Sequence, residues 1–350
     1  MSHRALSHGP HRWALTLGLV PLLLPLLTPG VGAQEVEYHE YEGTYSIIAR
    51  DAETGELGMG VQSRAFAVGY RTWTAKGGVA IFAHQAASNP YYGRVGMEML
   101  LAGLPPEEAL ERLVRSDVES HRRQVAILDA QGRTAAFTGD STSQWHGHHC
   151  GENYCAQGNT LEGPEVVEAM ARSIEGSVGD PLADRLLDAL DAAEAAGGDR
   201  RGMQSAAMIV VNPLQGAGDY SDTVLDIRIN DHPVPLVELR RLLTVFRSRG
   251  VMAEAHRRFD DGEREEGLRM ILELVDEIPE KDQVWVGLAA MYVKMDRRED
   301  ALEALSEALE INPRNRNYLP TDPDFEALHD DPAFGELMDM AEGTADPEGE

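Results

Sequence analysis

Apolar and polar positions follow two rhythms along this chain, and the change falls near residue 249. Before it, short β-rich runs are bounded by Gly, Asp and Asn; after it, apolar positions recur every three to four residues. Thr44-Tyr-Ser-Ile-Ile-Ala-Arg50 and Leu57-Gly-Met-Gly-Val-Gln-Ser63, joined by the turn residues 51–56, predict an opening hairpin. The glycine-flanked apolar run 77–86 predicts another strand, and Asn89-Pro90 the start of a helix reaching about Ala102. A second helix from Pro105 carries Ala109, Leu110 and Leu113 on one stripe. Residues 124–128 and 134–138 read as a further hairpin, followed by helices from Pro164 and Pro181 and strands at 204–211 and 224–230. A helix from Pro235 to about Arg249 closes this part. Strands, then helices, then strands predict an α+β domain over residues 44–249, with helices covering sheets.

Residues 250–340 carry a repeat. Trp285, Leu288, Ala289, Tyr292, Ala301, Leu305, Ala308 and Pro313 follow the tetratricopeptide pattern. Gly267, Ile271, Leu274 and Pro279 stand 34 residues before Ala301, Leu305, Ala308 and Pro313, which is that pattern's period. The expected module is all-α, with small residues letting paired helices approach closely. Two repeats are fewer than the three or so needed for independent stability, so the module is expected to lean on the main domain, a protein partner or a second copy of the chain. The stretches starting at Asp322 and Asp331 predict a closing helix.

The N-terminus changes the setting. Arg4 and Arg12 precede an apolar run over 13–27, and small residues Val31 and Ala33 stand where signal peptidase reads, so 1–33 is expected to be a signal peptide. The run is about 15 residues, short of the roughly 20 of a spanning helix, and no membrane attachment is expected once it is removed. The destination is secreted or periplasmic, which makes a small disulfide loop the expected state of Cys150 and Cys155. Removing 1–33 takes away two Arg and no acids, moving the net charge from −28 to −30. Such acidity argues against a nucleic-acid partner. Residues 34–43 then form a short linker or propeptide, and 341–350 an acidic tail.

Ordered blocks carry a family resemblance. They are Tyr41-Glu-Gly-Thr44 with the strand behind it, Gln62-Ser-Arg-Ala-Phe-Ala-Val-Gly69, Asn89-Pro-Tyr-Tyr-Gly93, His121-Arg-Arg-Gln-Val125, Tyr154-Cys-Ala-Gln-Gly-Asn159, Gly197-Gly-Asp-Arg-Arg-Gly202 with Gln204-Ser205, and Asp231-His-Pro233. Together these resemble the domain of unknown function 1028, over nearly all of residues 44–245. The resemblance implies an N-terminal-nucleophile (Ntn) hydrolase-like fold, a four-layer αββα sandwich of two antiparallel sheets between helical layers. It implies fold more strongly than reaction.

In such a fold the first residue of the mature domain is both nucleophile and base. Thr44, after Gly43, is placed for that role, provided residues 34–43 are removed; its freed α-amine, with a reference pKa of about 7.7–8, would be the base. Lys76 stands 32 residues after Thr44, the offset at which proteasome-like members place a lysine that activates the nucleophile. Arg64 suits a carboxylate anchor, because its guanidinium pairs in bidentate fashion. Asn89, Asn159 and Ser205 carry donors for an oxyanion hole or substrate amides, though Asn89 also reads as a helix cap. Asp199-Arg200 reads as a substrate clamp or as a turn with a local ion pair.

The expected activity is therefore cleavage of a small amide or peptide-like substrate. Two other readings stand beside it: a catalytically silent module working through its helical repeat, and a zinc hydrolase built on His146, His148, His149 and Cys155. The spacing of those four matches no closed zinc site, and no metal or other cofactor is expected.

Overall fold

The structure, a computed structural model, describes residues 43–213 and 221–339. The expected signal peptide, all but Gly43 of the 34–43 segment and the acidic tail lie outside these residues. The described residues form a six-stranded and a four-stranded sheet, with each of their strands pairing antiparallel. The larger sheet runs β10 (Thr223–Ile229), β9 (Ser205–Val211), β2 (Leu57–Ser63), β1 (Thr44–Arg50), β8 (Tyr154–Leu161), β7 (Trp145–Gly151). The smaller runs β3 (Trp73–Lys76), β4 (Ala80–Ala86), β5 (Arg123–Asp129), β6 (Thr134–Thr138).

The period of two decides which way each side chain faces. In β1, Tyr45, Ile47 and Ala49 join a core with helices α3 (Pro164–Gly176) and α4 (Leu182–Ala195), while Ile48 joins a second core with Leu57, Met59 and Val61 of β2. Ile81, Ala83, Ala126 and Leu128 of the smaller sheet meet that second core, so the two sheets face each other across it. Their neighbours Phe82, Val125 and Ile127 point the other way, against α1 (Tyr91–Leu101) and α2 (Pro106–Ser116). Gly58 lets α4 lie close on β2, since a Cβ there would stand 2.7 Å from Leu186 Cδ1. Both outer faces of the sheet pair are thus covered by helices.

Two departures from the sequence reading bear on the site. First, residues 145–161, read for their His and Cys and for the block Tyr154–Asn159 but not as strands, form the hairpin β7–β8, with Cys150 opposite Cys155 and disulfide-bonded to it. Second, the helix expected to stop near Arg249 continues as α5 (Pro235–Asp260). Leu236, Leu239 and Leu243 pack beneath the larger sheet, whereas Ala255 and Phe259 belong to the core of the C-terminal helices. Gly250 costs about 1 kcal/mol inside a helix, which burial at both ends of α5 outweighs. α5 pairs with α6 (Arg264–Glu277), and α7 (Asp282–Lys294) with α8 (Arg298–Ile311). Ala289, Ala301 and Ala308 are fully buried, as their small size at close-packed positions predicts. The closing segment is a 3-10 turn over Pro323–Leu328 followed by α9 (Pro332–Asp339), seating Phe325, Leu328 and Phe334 in that core. No described helix is long and apolar enough to cross a membrane.

Candidate functional site

The space between the sheets is apolar at one end and polar at the other. Cross-strand register places Ser205, Ser63, Thr44 and Asn159 in one row over β9, β2, β1 and β8, at the end where β1 begins. All four are buried. Facing them from the smaller sheet are Gln85 and Gln124. Gln85 Nε2 donates to the Thr44 carbonyl (3.1 Å) and to Gln124 Oε1 (2.8 Å), which also accepts from Asn159 Nδ2 (3.0 Å). Ser46 Oγ donates to Gln85 Oε1 (2.6 Å) and Gln124 Nε2 to the Gly158 carbonyl (2.9 Å). A network of paired amides and hydroxyls fixes the strand ends relative to each other.

Beside this network stands the Gly43 carbonyl. Its oxygen accepts from Ser63 Oγ (2.5 Å) and Arg201 Nη2 (2.9 Å), and Thr44 Oγ1 lies 2.7 Å from it and 3.1 Å from Ser63 Oγ. Arg201 is aimed by Asp199, whose fully buried carboxylate takes Arg201 Nε (3.0 Å), Nη2 (2.7 Å) and backbone N–H (3.0 Å), and the Arg64 N–H (3.3 Å). Burying a carboxylate is costly unless it is paired and hydrogen-bonded; this one is both. Two hydroxyls and a guanidinium therefore converge on one peptide carbonyl. That geometry stabilises negative charge on its oxygen.

The backbone around the site is strained. Of the six non-glycine residues with positive φ among the described residues, Asn153 and Asp296 lie in turns away from the site, and the other four, Ala67, Ala86, Gln144 and Thr160, have φ of 54°, 62°, 44° and 58°. They follow β2, end β4, precede β7 and end β8, all at the polar end of the sandwich. A β-branched residue such as Thr160 in this region is unusual, and such outliers concentrate at functional sites.

The sequence-predicted residues divide. Thr44 and Asn159 meet as register partners. Ser205 lies in the same row, but its hydroxyl donates to the Ala65 carbonyl (2.5 Å) and accepts from Val68 N–H (3.1 Å), so it pins the 64–68 loop and offers nothing to an oxyanion. Arg64 is exposed at the rim, with Nη1 on the Met203 carbonyl (3.1 Å). Asn89 stands one residue before the N-cap Pro90, accepting from Tyr91 N–H (3.0 Å) and donating to Asp117 (3.3 Å), and so serves the start of that helix and not an oxyanion. Lys76 is not brought to Thr44: it pairs with Ala80, five residues along β4 from Gln85, or about 16 Å at roughly 3.3 Å per residue. The offset of 32 residues placed it wrongly because β3 runs away from the site. The pairing partner of Asp199 is Arg201; Arg200 reaches Gln144 and Glu162 instead.

Ser63, Gln85, Gln124 and Arg201 were not singled out from the sequence. The two glutamines had a visible signal, an amide inside an otherwise apolar strand. Of the zinc candidates, Cys155 is held in the disulfide and His148 bonds Thr138 Oγ1 (2.9 Å). Burial and neighbouring His149 lower the His148 pKa. No group of three or more potential metal ligands converges among the described residues.

A family model described as a family of unknown function, DUF1028, matches residues 44–239, more than half of the chain. No curated protein matches it. Among solved structures, the chain is similar to protein SPO2555 from Silicibacter pomeroyi, itself described as DUF1028, with 31% identity and a TM-score of 0.54 over 59% of this chain and 86% of that one. The matched span begins at Thr44, the first residue of β1, and takes in both sheets. This chain is a member of the DUF1028 family.

Proposed function

We propose that the chain is an exported, self-activating amidohydrolase of Ntn type, with its two sheets and their helical layers forming the αββα sandwich of that class and Thr44 as nucleophile. The observation that carries the reading is the convergence of Thr44 Oγ1, Ser63 Oγ and Arg201 Nη2 on the Gly43 carbonyl oxygen. In the first reaction Thr44 Oγ1 attacks the Gly43 carbonyl carbon, and the carbonyl electron pair moves onto an oxygen held by Arg201 and Ser63. Collapse breaks the Gly43–Thr44 C–N bond, and the hydroxyl proton ends on the departing nitrogen. Water then hydrolyses the ester, releasing Gly43 as a carboxylate and leaving Thr44 with its hydroxyl and a free α-amine.

In the second reaction that amine takes the hydroxyl proton as Thr44 attacks an external amide, then passes it to the leaving amine. Thr44 is only 4% exposed while Gly43 precedes it, so the precursor has no access for substrate. The helical hairpins after residue 250, read as tetratricopeptide-like, supply a face for a protein partner or a second copy of the chain. The disulfide fits a secreted or periplasmic destination.

Intact-mass spectrometry and N-terminal sequencing of the exported protein test this. The wild type is expected to begin at Thr44 and the Thr44→Ala variant to keep Gly43. A wild type still carrying Gly43 would leave Thr44 without its amine and favour a silent module that works through its helices.

A further inference from the structure

We propose that the substrates of this site are amides whose acyl group ends in glycine, to the exclusion of side-chain-bearing L-residues, and that Asp199 enforces the choice; this rests on the reading of Thr44 as a self-exposed nucleophile. The basis is the space around Gly43. A Cβ on that residue would lie 2.6 Å from Asp199 Oδ2 and 2.8 Å from its Cγ, well inside van der Waals contact. A flexible surface carboxylate would swing away, but this one is fully buried and holds three donors from Arg201 and one from Arg64. Displacing it would strand a buried charge. Position 43 therefore admits glycine alone.

The restriction passes to external substrates because the two reactions share their covalent intermediate. Self-cleavage leaves a glycine-ended acyl group esterified to Thr44 Oγ1. Attack on an acylglycyl amide arrives at the same ester: the Oγ1–C bond forms, the C–N bond breaks, and the α-amine carries the hydroxyl proton to the leaving amine. Water then cleaves the ester to a carboxylate and restores the hydroxyl. The acyl α-carbon occupies the place of Gly43 Cα, with its oxygen toward Ser63 and Arg201 and its face against Asp199. Nothing in this constrains the leaving amine, so selectivity falls on the acyl side.

The self-processed wild-type chain is assayed with N-acetylglycyl and N-acetyl-L-alanyl amides of 7-amino-4-methylcoumarin, alongside mass analysis of Gly43→Ala. Glycyl turnover is expected to exceed alanyl by about tenfold or more in kcat/KM, and the variant to remain uncut. A processed wild type that hydrolyses the alanyl amide as fast, or turns over neither, overturns this inference and leaves self-cleavage standing. A wild type uncut between Gly43 and Thr44 overturns the underlying reading and this inference with it.

Discussion

The two ends of the inter-sheet space are built from the same strands yet do opposite work. At one end Ile48, Leu57, Met59, Ile81 and Leu128 pack as an apolar core. At the other, Thr44, Ser46, Ser63, Gln85, Gln124 and Asn159 sit on the same strand faces, equally buried, joined by hydrogen bonds. Alternation fixes the face a residue occupies; position along the strand fixes whether that face holds the sandwich together or presents chemistry. A buried polar cluster is tolerated only when its groups are satisfied, and here that satisfaction positions β1's first residue.

The sharpest way to separate the ends is Ser63→Ala. The change is nearly isosteric and strands no charge, but it removes one of the two donors other than Thr44 on the Gly43 oxygen. Loss of one such donor costs about 10²–10³ in rate, so cleavage before Thr44 is expected to slow by that factor with little change in the unfolding midpoint. A time course of intact mass measures it. Unchanged cleavage would remove Ser63 from the site.

Leu128→Ala tests the other end. Leu128 is fully buried between the sheets, and its truncation is expected to cost about 3–5 kcal/mol of stability by denaturant unfolding. Folded variant should still be cut before Thr44. If cleavage falls in step with stability, the two ends are not separable.

How much of this was legible in the sequence follows the same division. Period-two runs and capping residues marked β1, β2, β4–β6, β9 and β10 and most helices, because those signals are local. The β7–β8 hairpin was missed: Gly147, Gly151, Gly158 and three histidines dilute its β-propensity, and the pairing is secured by the disulfide and by β1. The continuity of α5 was missed because Gly250 resembles a stop when the cores at either end are unseen. Thr44 and Asn159 were marked by family-like blocks. Arg201 stood in such a block too, but its role was not legible, since it reaches Gly43 from 158 residues away and its partner Asp199 reaches the Arg64 N–H from 135. Such a meeting is set by strand register and a turn, and neither is visible as a motif.

The comparison can also be sharpened across a single strand. Gln85 faces the polar network, whereas its neighbour His84, on the other side of β4, is buried with Nδ1 3.0 Å from Ser88 Oγ and Nε2 3.4 Å from Thr74 Oγ1. Burial lowers its pKa from 6.5 to about 4, against opposing bonds with backbone carbonyls. Between those values the unfolded chain binds a proton that the native state excludes, so this contribution is complete above pH 6.5 and is lost as pH falls toward 4. The shift amounts to about 3 kcal/mol. The inter-sheet amides and hydroxyls carry no proton that titrates in this range. Denaturant unfolding of wild type and His84→Gln at pH 7 and 4.5 is therefore expected to show a smaller acid loss in the variant. Equal losses would place acid sensitivity elsewhere among the carboxylates and leave both sides of β4 indifferent to pH.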